Sequence, residues 1–298
     1  MDTSEAPDDR SAVERVWARQ QAYDRLAVRT RARLDRLRLA NLVLLGTGAL
    51  LGAIAAQSLP RAVTAVVGAA GAGALLLAGF AQREAASGHA ERWTMARGAA
   101  EALRAAVHEY LVGTPPFDDH GRDEDLATVS ERIAETVRTL DVELVDVEGP
   151  DDPLPAVSDL ASYVELRVRG QARWHDGKIS EHRGAARRLR RLELAATLAG
   201  AALTGIASLL DSSAFGVWIG VATTIGSAVA AHLDATRHTQ IAAGYATTAR
   251  RLDELLDRYD VADAVDAAAF VGAAESILER QNENWIGLVG AMPAAPTR

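Results

Sequence analysis

Few residues in this chain have a type and spacing that could support catalysis or metal binding. His175 and Asp176 are adjacent, but the next candidate at ligand spacing, His182, falls on another face of the same predicted helix. We therefore expect His175 on a solvated helix surface rather than in a metal site. Gly71 and Gly73 lie inside an apolar run, where glycines serve close packing rather than dinucleotide binding.

Other catalytic signatures are missing from the sequence. It contains no Cys, which removes thiol nucleophiles, thiolate metal sites and disulfides from consideration. It contains no Walker-type Gly-Lys-Ser/Thr loop. His232 stands at the end of an apolar run, where an interfacial imidazole is favoured over a pH sensor. We expect no enzymatic activity, no cofactor and no metal.

The elements that dominate the chain are four uncharged apolar runs. The first lies between Arg38 and Arg61 and the second between Arg61 and Arg83, so each offers about 21 residues, enough to span a bilayer. The absence of charge in all four runs argues against buried helices of a soluble bundle. The predicted transmembrane helices are 39–59, 62–82, 194–210 and 213–233.

The second pair of runs repeats the first. A shift of 151 or 152 residues places Gln20 on Gln171 and Tyr23 on Trp174, which indicates an internal duplication. The predicted organisation is a disordered tail (1–10), a first unit (11–148), a linker (149–158), a second unit (159–290) and a tail (291–298).

Each hairpin is flanked by Arg-rich amphipathic arms. In the arm after Gln82, apolar residues recur in steps of three and four, as in a coiled-coil seam: Trp93, Ala96, Ala100, Leu103, Val107 and Leu111. The flanks carry the Arg residues and the hairpin turns almost none, so the positive-inside rule predicts cytoplasmic termini. The net charge of -8 argues against nucleic acid as a partner. The predicted class is an all-α integral membrane protein with two tandem hairpins and cytoplasmic coiled-coil-like arms.

Small and polar residues inside the runs are the remaining candidates for function. Glycines four residues apart allow close helix approach, and we expect them to pack within the hairpins rather than between copies. These packing candidates are Gly48, Gly52, Gly216 and Gly220. Polar side chains could line a pore in an oligomer, although hydrogen bonding to neighbouring backbone is favoured for most of them. These pore-lining candidates are Asn41, Thr47, Thr204, Thr223 and Ser227.

Polar and aromatic residues mark the second repeat at two places: Tyr163, Arg167, Gln171 and Trp174 in its arm, and Phe270, Glu275, Glu279 and Trp285 in its closing helix. Through these residues and the paired apolar helices, the layout resembles the SLATT domains, the SMODS- and SLOG-associating two-transmembrane effectors, here in tandem over about residues 15–286. The second half matches best, because the first has Tyr23 as its arm aromatic and no Trp after its acidic helix.

The resemblance implies a regulated effector of bacterial conflict or anti-phage systems in the inner membrane, acting by pore formation or membrane perturbation. It also implies a homo-oligomer and a nucleotide-signalling partner protein, since this chain has no nucleotide-binding motif. One alternative is a non-conducting scaffold or sensor whose hairpins only anchor the arms. A small transporter is less favoured, because the repeats are parallel and carry no midplane charge.

Overall fold

A computed structural model describes residues 11–140, 152–210, 213–261 and 264–290, and every regular element in these ranges is helical. The predicted tails 1–10 and 291–298 lie outside the described residues, as does the first part of the linker, 149–151.

Eight α-helices are present in the described ranges. The first repeat forms α1 (Ala12–Ala55), α2 (Arg61–Ala85), α3 (His89–Val112) and α4 (Arg122–Thr136). The second repeat forms α5 (Leu160–Leu209), α6 (Gly216–Thr236), α7 (His238–Asp260) and α8 (Ala267–Gly290). Helix α5 contains a π-helical stretch, Val164–Arg169, and short 3-10 segments occur at Arg138–Leu140 and Ser213–Phe215.

Local sequence signals explain where several helices begin. At α1, the Glu14 carboxylate accepts hydrogen bonds from the backbone N–H and the hydroxyl of Ser11, at 2.7 and 2.8 Å. At α5, Asp159 accepts the backbone N–H of Ser162 at 2.8 Å in a reciprocal capping box. Pro60 directly precedes α2, where its fixed φ suits the helix entry and its missing N–H costs no bond.

Four helical segments are long and apolar enough to cross a membrane. Their most apolar stretches have mean hydropathies of 1.7, 2.0, 1.5 and 1.4 in chain order. The predicted all-α fold with four membrane-spanning helices is confirmed, and the chain is a multi-pass membrane protein. The first spanning helix ends at Ala55, four residues before the predicted end at Leu59.

The chain divides into two compact units, and each unit contains parts of both repeats. The arm unit consists of the described residues within 1–31, 90–177 and 244–290. The hairpin unit consists of the described residues within 32–89 and 178–243. The repeat in the sequence is therefore a repeat of topology and not of compact units.

The arm unit has two apolar cores. The first joins the start of α1 to α3 and α4, and the predicted seam residues lie in it or against it: Trp93, Ala96, Ala100, Leu103, Val107 and Leu111. Their partners on α1 are Val13, Val16, Tyr23, Leu26 and Ala27. The second core joins α5, α7 and α8 through Tyr163, Val168, Leu252, Phe270 and Ala274 among others.

Candidate functional site: a hydroxyl-lined groove and a buried polar network

The first hairpin closes through a glycine contact between α1 and α2. A Cβ atom added to Gly48 would lie 2.6 Å from Leu75 Cδ2 and 3.2 Å from the carbonyl oxygen of Gly71. One added to Gly71 would lie 3.2 Å from Leu51 Cβ and 3.3 Å from the backbone nitrogen of Gly52. The two backbones can approach this closely only because side chains are absent at these positions.

The second hairpin packs at other glycines. Added Cβ atoms on Gly200 and Gly226 would meet Ala222 and Ala196, each at an ordinary 3.6 Å. At Gly52, Gly216 and Gly220, an added Cβ atom meets no described atom within 4 Å. Of the four predicted packing glycines, Gly48 is thus the one whose own Cβ position is filled by a neighbour.

A groove of about 360 Å³ runs between α5 and α6 of the second hairpin. Its walls are small and polar residues at helical spacing on both helices, and we call it the hydroxyl groove. It is lined by Glu193, Ala196, Thr197, Gly200, Ala201 and Thr204 of α5, and by Ile219, Ala222, Thr223, Gly226, Ser227 and Ala230 of α6.

The structure brings three predicted pore-lining residues together in this groove: Thr204, Thr223 and Ser227. The Thr204 hydroxyl donates to the carbonyl of Gly200 at 2.9 Å, and the Thr223 hydroxyl donates to that of Ile219 at 2.9 Å. Backbone bonding, favoured from the sequence, is therefore confirmed for these two. They bond to their own helices and line the groove at the same time.

The other two pore-lining candidates belong to the first hairpin and do not line the hydroxyl groove. Thr47 is exposed on α1. Asn41 is half-buried, and its side-chain oxygen is buried without a hydrogen-bond partner. The five candidates thus do not share one surface in this chain.

The arm unit holds a buried ion pair built from the predicted family-motif residues. The Arg167 guanidinium donates to both carboxylate oxygens of Glu275, from Nε at 3.0 Å and from Nη2 at 2.9 Å. The Tyr163 hydroxyl donates to the same carboxylate at 2.8 Å. All three side chains are buried, so Glu275 is held by three charge-assisted bonds in a low-dielectric site.

These contacts set the protonation states in the network. Burial acts to raise the pKa of Glu275, but the charge and hydrogen bonds of Arg167 outweigh burial and lower it. Burial would lower the pKa of Arg167, and Glu275 raises it instead. Burial and the Glu275 charge together raise the pKa of Tyr163. The network is consequently a stable pair of opposite charges and not a proton donor or acceptor.

Two α3 side chains beside this pair have pKa values that are shifted toward their neutral forms. Burial, followed by repulsion from Arg167, lowers the pKa of His108 to about 4. Burial, followed by repulsion from Glu275 and Glu279, raises the pKa of Glu109 to about 7. His108 is therefore neutral at physiological pH, whereas Glu109 is only partly ionised.

Glu109 lies in a cavity of about 430 Å³ inside the arm unit. Further carboxylates on the walls come from Glu101, Glu275, Glu279 and Glu283, and Arg167 is the one cationic lining residue in the described part of the chain. Glu101 is bridged by Arg97 and Arg104, each through a contact shorter than 3 Å. The predicted motif residue Glu279 therefore lines a cavity.

The environment of His175 differs from the solvated surface expected from the sequence. The ring is fully buried, with Nδ1 2.6 Å from the carbonyl oxygen of Gln171 and Nε2 contacting the Gln281 amide. Trp174 packs edge-on against His175 and Tyr245. The expectation was wrong because Tyr245 of α7 and Gln281 of α8, which are distant in the sequence, pack against the imidazole.

The remaining predicted motif residue, Trp285, falls within α8, but its side chain lies outside the described part of the chain. In the described residues, no group of three or more His, Cys, Asp or Glu side chains is arranged to hold a metal ion.

Two stretches of the chain match known family models. Residues 163–285 match the family model described as SMODS and SLOG-associating 2TM effector domain 1. The second repeat therefore contains a SLATT domain. Residues 21–125 match a different model, described as a protein of unknown function (DUF4231). No curated protein and no solved structure matches the chain.

The SLATT domain includes the hydroxyl groove, and it includes Tyr163, Arg167 and Glu275 of the buried network. Sequence reasoning missed several polar residues at these sites, among them Thr197 and Glu193 in the groove and Glu109 in the cavity. Glu193 was passed over because the apolar run was read from the next residue, Leu194. Glu109 had no sequence signal, because its acidic neighbours come from α8, far away in the chain.

Proposed function

We propose that this SLATT-domain protein is a regulated membrane effector that assembles into oligomers and permeabilises the bilayer. The observation that carries the proposal is the hydroxyl groove in the hairpin of the matched effector domain. Polar side chains at membrane depth generally face a protein interior or a water-filled space rather than lipid. Two helices cannot enclose a path, so several copies must contribute one groove each.

The proposal includes a topology and a setting. Arg residues crowd the outer flanks of both hairpins, which supports termini on the cytoplasmic side of a bacterial inner membrane. The arm unit would then lie in the cytoplasm, where a nucleotide-signalling partner could reach it. We also propose that both repeats are SLATT-like and that the chain is not an enzyme.

Leakage of a trapped dye from liposomes tests this function. Purified full-length protein should release the dye, and a Thr204→Val, Thr223→Val double variant should release it several-fold more slowly. Both replacements keep the side-chain shape and remove the hydroxyl. Thr47→Val is the matched control, because Thr47 is an exposed hydroxyl on the first hairpin. Wild-type protein that inserts and leaves liposomes tight under a membrane potential would overturn the proposal.

A second candidate function is a scaffold or sensor anchored by passive hairpins. The extensive buried network of the arm unit favours it, because such a network can order a partner-binding surface without any pore. Replacing both hairpins with unrelated membrane anchors separates the two functions. A scaffold should continue to work after the exchange, whereas a permeabilising effector should lose its activity.

A further inference from the structure

Glu193 is a carboxylate at one end of the hydroxyl groove. It is half-buried on α5, and its side chain has neither a hydrogen bond nor an ion pair with the described residues. The uncharged run 194–210 begins at the next residue. Glu193 therefore lies at the membrane boundary, where an unpaired carboxylate is stable when it faces water or a cation.

Three of the four hydroxyl groups that line the groove below Glu193 present oxygen lone pairs to it, because their protons are engaged elsewhere. The hydroxyl proton of Thr197 is engaged by the backbone carbonyl of Glu193 at 3.0 Å, and those of Thr204 and Thr223 are engaged one turn back in the same way. The lone pairs of these oxygens remain available to the groove. No lining residue carries a positive charge. A carboxylate followed by hydroxyl oxygens is a surface that attracts cations and repels anions.

The first hairpin has no equivalent carboxylate. At the repeat offsets of 151 and 152, the positions that correspond to Glu193 are Leu42 and Asn41. The carboxylate is therefore found at this position only in the hairpin that carries the groove. If every hairpin needed an acidic residue at the membrane boundary, the first hairpin would have one at position 41 or 42 as well.

We propose that Glu193 is the selectivity-determining residue of the membrane path and makes it prefer cations over anions. This inference rests on the proposed function, because each copy in the oligomer would add one Glu193 carboxylate to a ring at the cytoplasmic mouth. Such rings set charge selectivity in channels by concentrating counter-ions where the path narrows.

Current measurements on full-length protein in planar bilayers with a KCl gradient test the inference. Wild type should favour K⁺ over Cl⁻, and Glu193→Gln should lower the permeability ratio by at least about fivefold. That is the factor for losing one charge about 4 Å from an ion in water, and the substitution removes one charge from every copy in the ring. Glu193→Asp should keep the preference and Glu193→Lys should reverse it. Asp234→Asn is the matched control. Asp234 is an exposed carboxylate near the C-terminal end of α6, and it does not line the groove.

The possible outcomes distinguish a failure of the role assigned to Glu193 from a failure of the proposed permeabilising function. A wild-type current with the same ion preference in Glu193→Gln and Glu193→Lys would overturn the role of Glu193 and leave the pore intact. An equal loss of preference in Asp234→Asn would also overturn it, because general surface charge would then be the cause. A wild type that inserts and passes no current would overturn the proposed function itself. If Glu193→Gln fails to insert, the Asp and Lys variants decide the matter.

Discussion

The two repeats have the same order of helices, but their hairpins pack differently. In the first hairpin, glycines bring α1 and α2 into close contact, and large apolar side chains such as Leu76 and Phe80 are exposed to the surroundings. In the second, looser Gly–Ala contacts leave a groove with hydroxyls and one carboxylate. The first hairpin is thus closely packed at its glycines, whereas the second leaves room for a polar groove, and both expose large apolar side chains.

The arms of the two repeats also differ, in how deeply their ion pairs are buried. Glu131 of the first repeat pairs with Arg19 at 2.7 Å on the surface, where both side chains are more than a third exposed. In the corresponding helix of the second repeat, Glu275 aligns with Glu131 at a shorter offset of 144 residues. Glu275 pairs with Arg167 at 2.9 Å, and these side chains are 8% and 3% exposed. A duplicated acidic helix has therefore acquired a buried partner in one copy only, and the energetic consequences can be measured.

The largest effect is expected from breaking the buried pair. Glu275→Gln leaves the Arg167 charge without a counter-charge and should lower the free energy of unfolding by about 3–5 kcal/mol. Thermal unfolding of the detergent-solubilised chain, followed by circular dichroism, measures the loss. Arg167→Met with Glu275→Leu should recover much of it, because an apolar pair needs no charge compensation. A single Glu275→Gln change that costs less than 1 kcal/mol would contradict the assigned burial.

The next largest effect concerns the first hairpin. Gly71→Val places methyl groups against Leu51 and the backbone of Gly52, which should cost about 1–3 kcal/mol through overpacking. Resistance of the solubilised protein to unfolding by SDS is the readout. Gly73→Val is the matched control on the same helix, because an added Cβ atom there meets no described atom within 4 Å. Equal losses in both variants would indicate a helix-propensity effect instead of close packing.

A smaller effect should appear as a pH dependence at Glu109. Its folded-state pKa, about 7, lies above the ordinary value of 4.5, so the folded state holds the proton more tightly than the unfolded chain. Stability from this group is present below about pH 4.5 and is lost as the pH rises through about 7. With a discount for partial exposure, Glu109→Gln should be more stable than wild type by about 1–2 kcal/mol at pH 8.

The two proteins should be nearly equal in stability near pH 4, where Glu109 is mostly protonated in both the folded and the unfolded states. Denaturation curves at both pH values isolate this group, because the opposite contribution of His108 is common to wild type and variant. A Glu109→Gln variant whose advantage is the same at pH 4 and pH 8 would show that the carboxylate does not titrate in this range.

The smallest effect is expected at the surface pair of the first repeat. Glu131→Gln removes a solvent-exposed ion pair and should cost only about 0.2–1 kcal/mol. The same thermal unfolding assay used for Glu275 gives the direct comparison between repeats. A cost near that of Glu275→Gln would mean that the two repeats are energetically alike.

Much of the fold was predictable because membrane helices are specified by local composition. Four uncharged runs require helices, since backbone groups in a bilayer must bond within their own segment. The start of α2 after Pro60 and the apolar face of α3 follow from the same kind of local pattern. The duplication was also visible, because repeated order survives in Gln20 and Gln171 and in Tyr23 and Trp174.

The sites were less predictable because they depend on which distant segments meet. Burial of His175 depends on Trp174 and Tyr245, and the raised pKa of Glu109 depends on carboxylates more than 150 residues away. Likewise, Thr204 and Thr223 were visible candidates, but no periodicity shows that they share one groove. By itself, the sequence determined the helices, their apolar character and their duplication. Only the tertiary structure decided that the first hairpin packs tightly at its glycines, that the second repeat buries its ion pair, and that Glu193 lies at the end of a polar groove. These outcomes arise from contacts between separate helices, which local sequence does not specify.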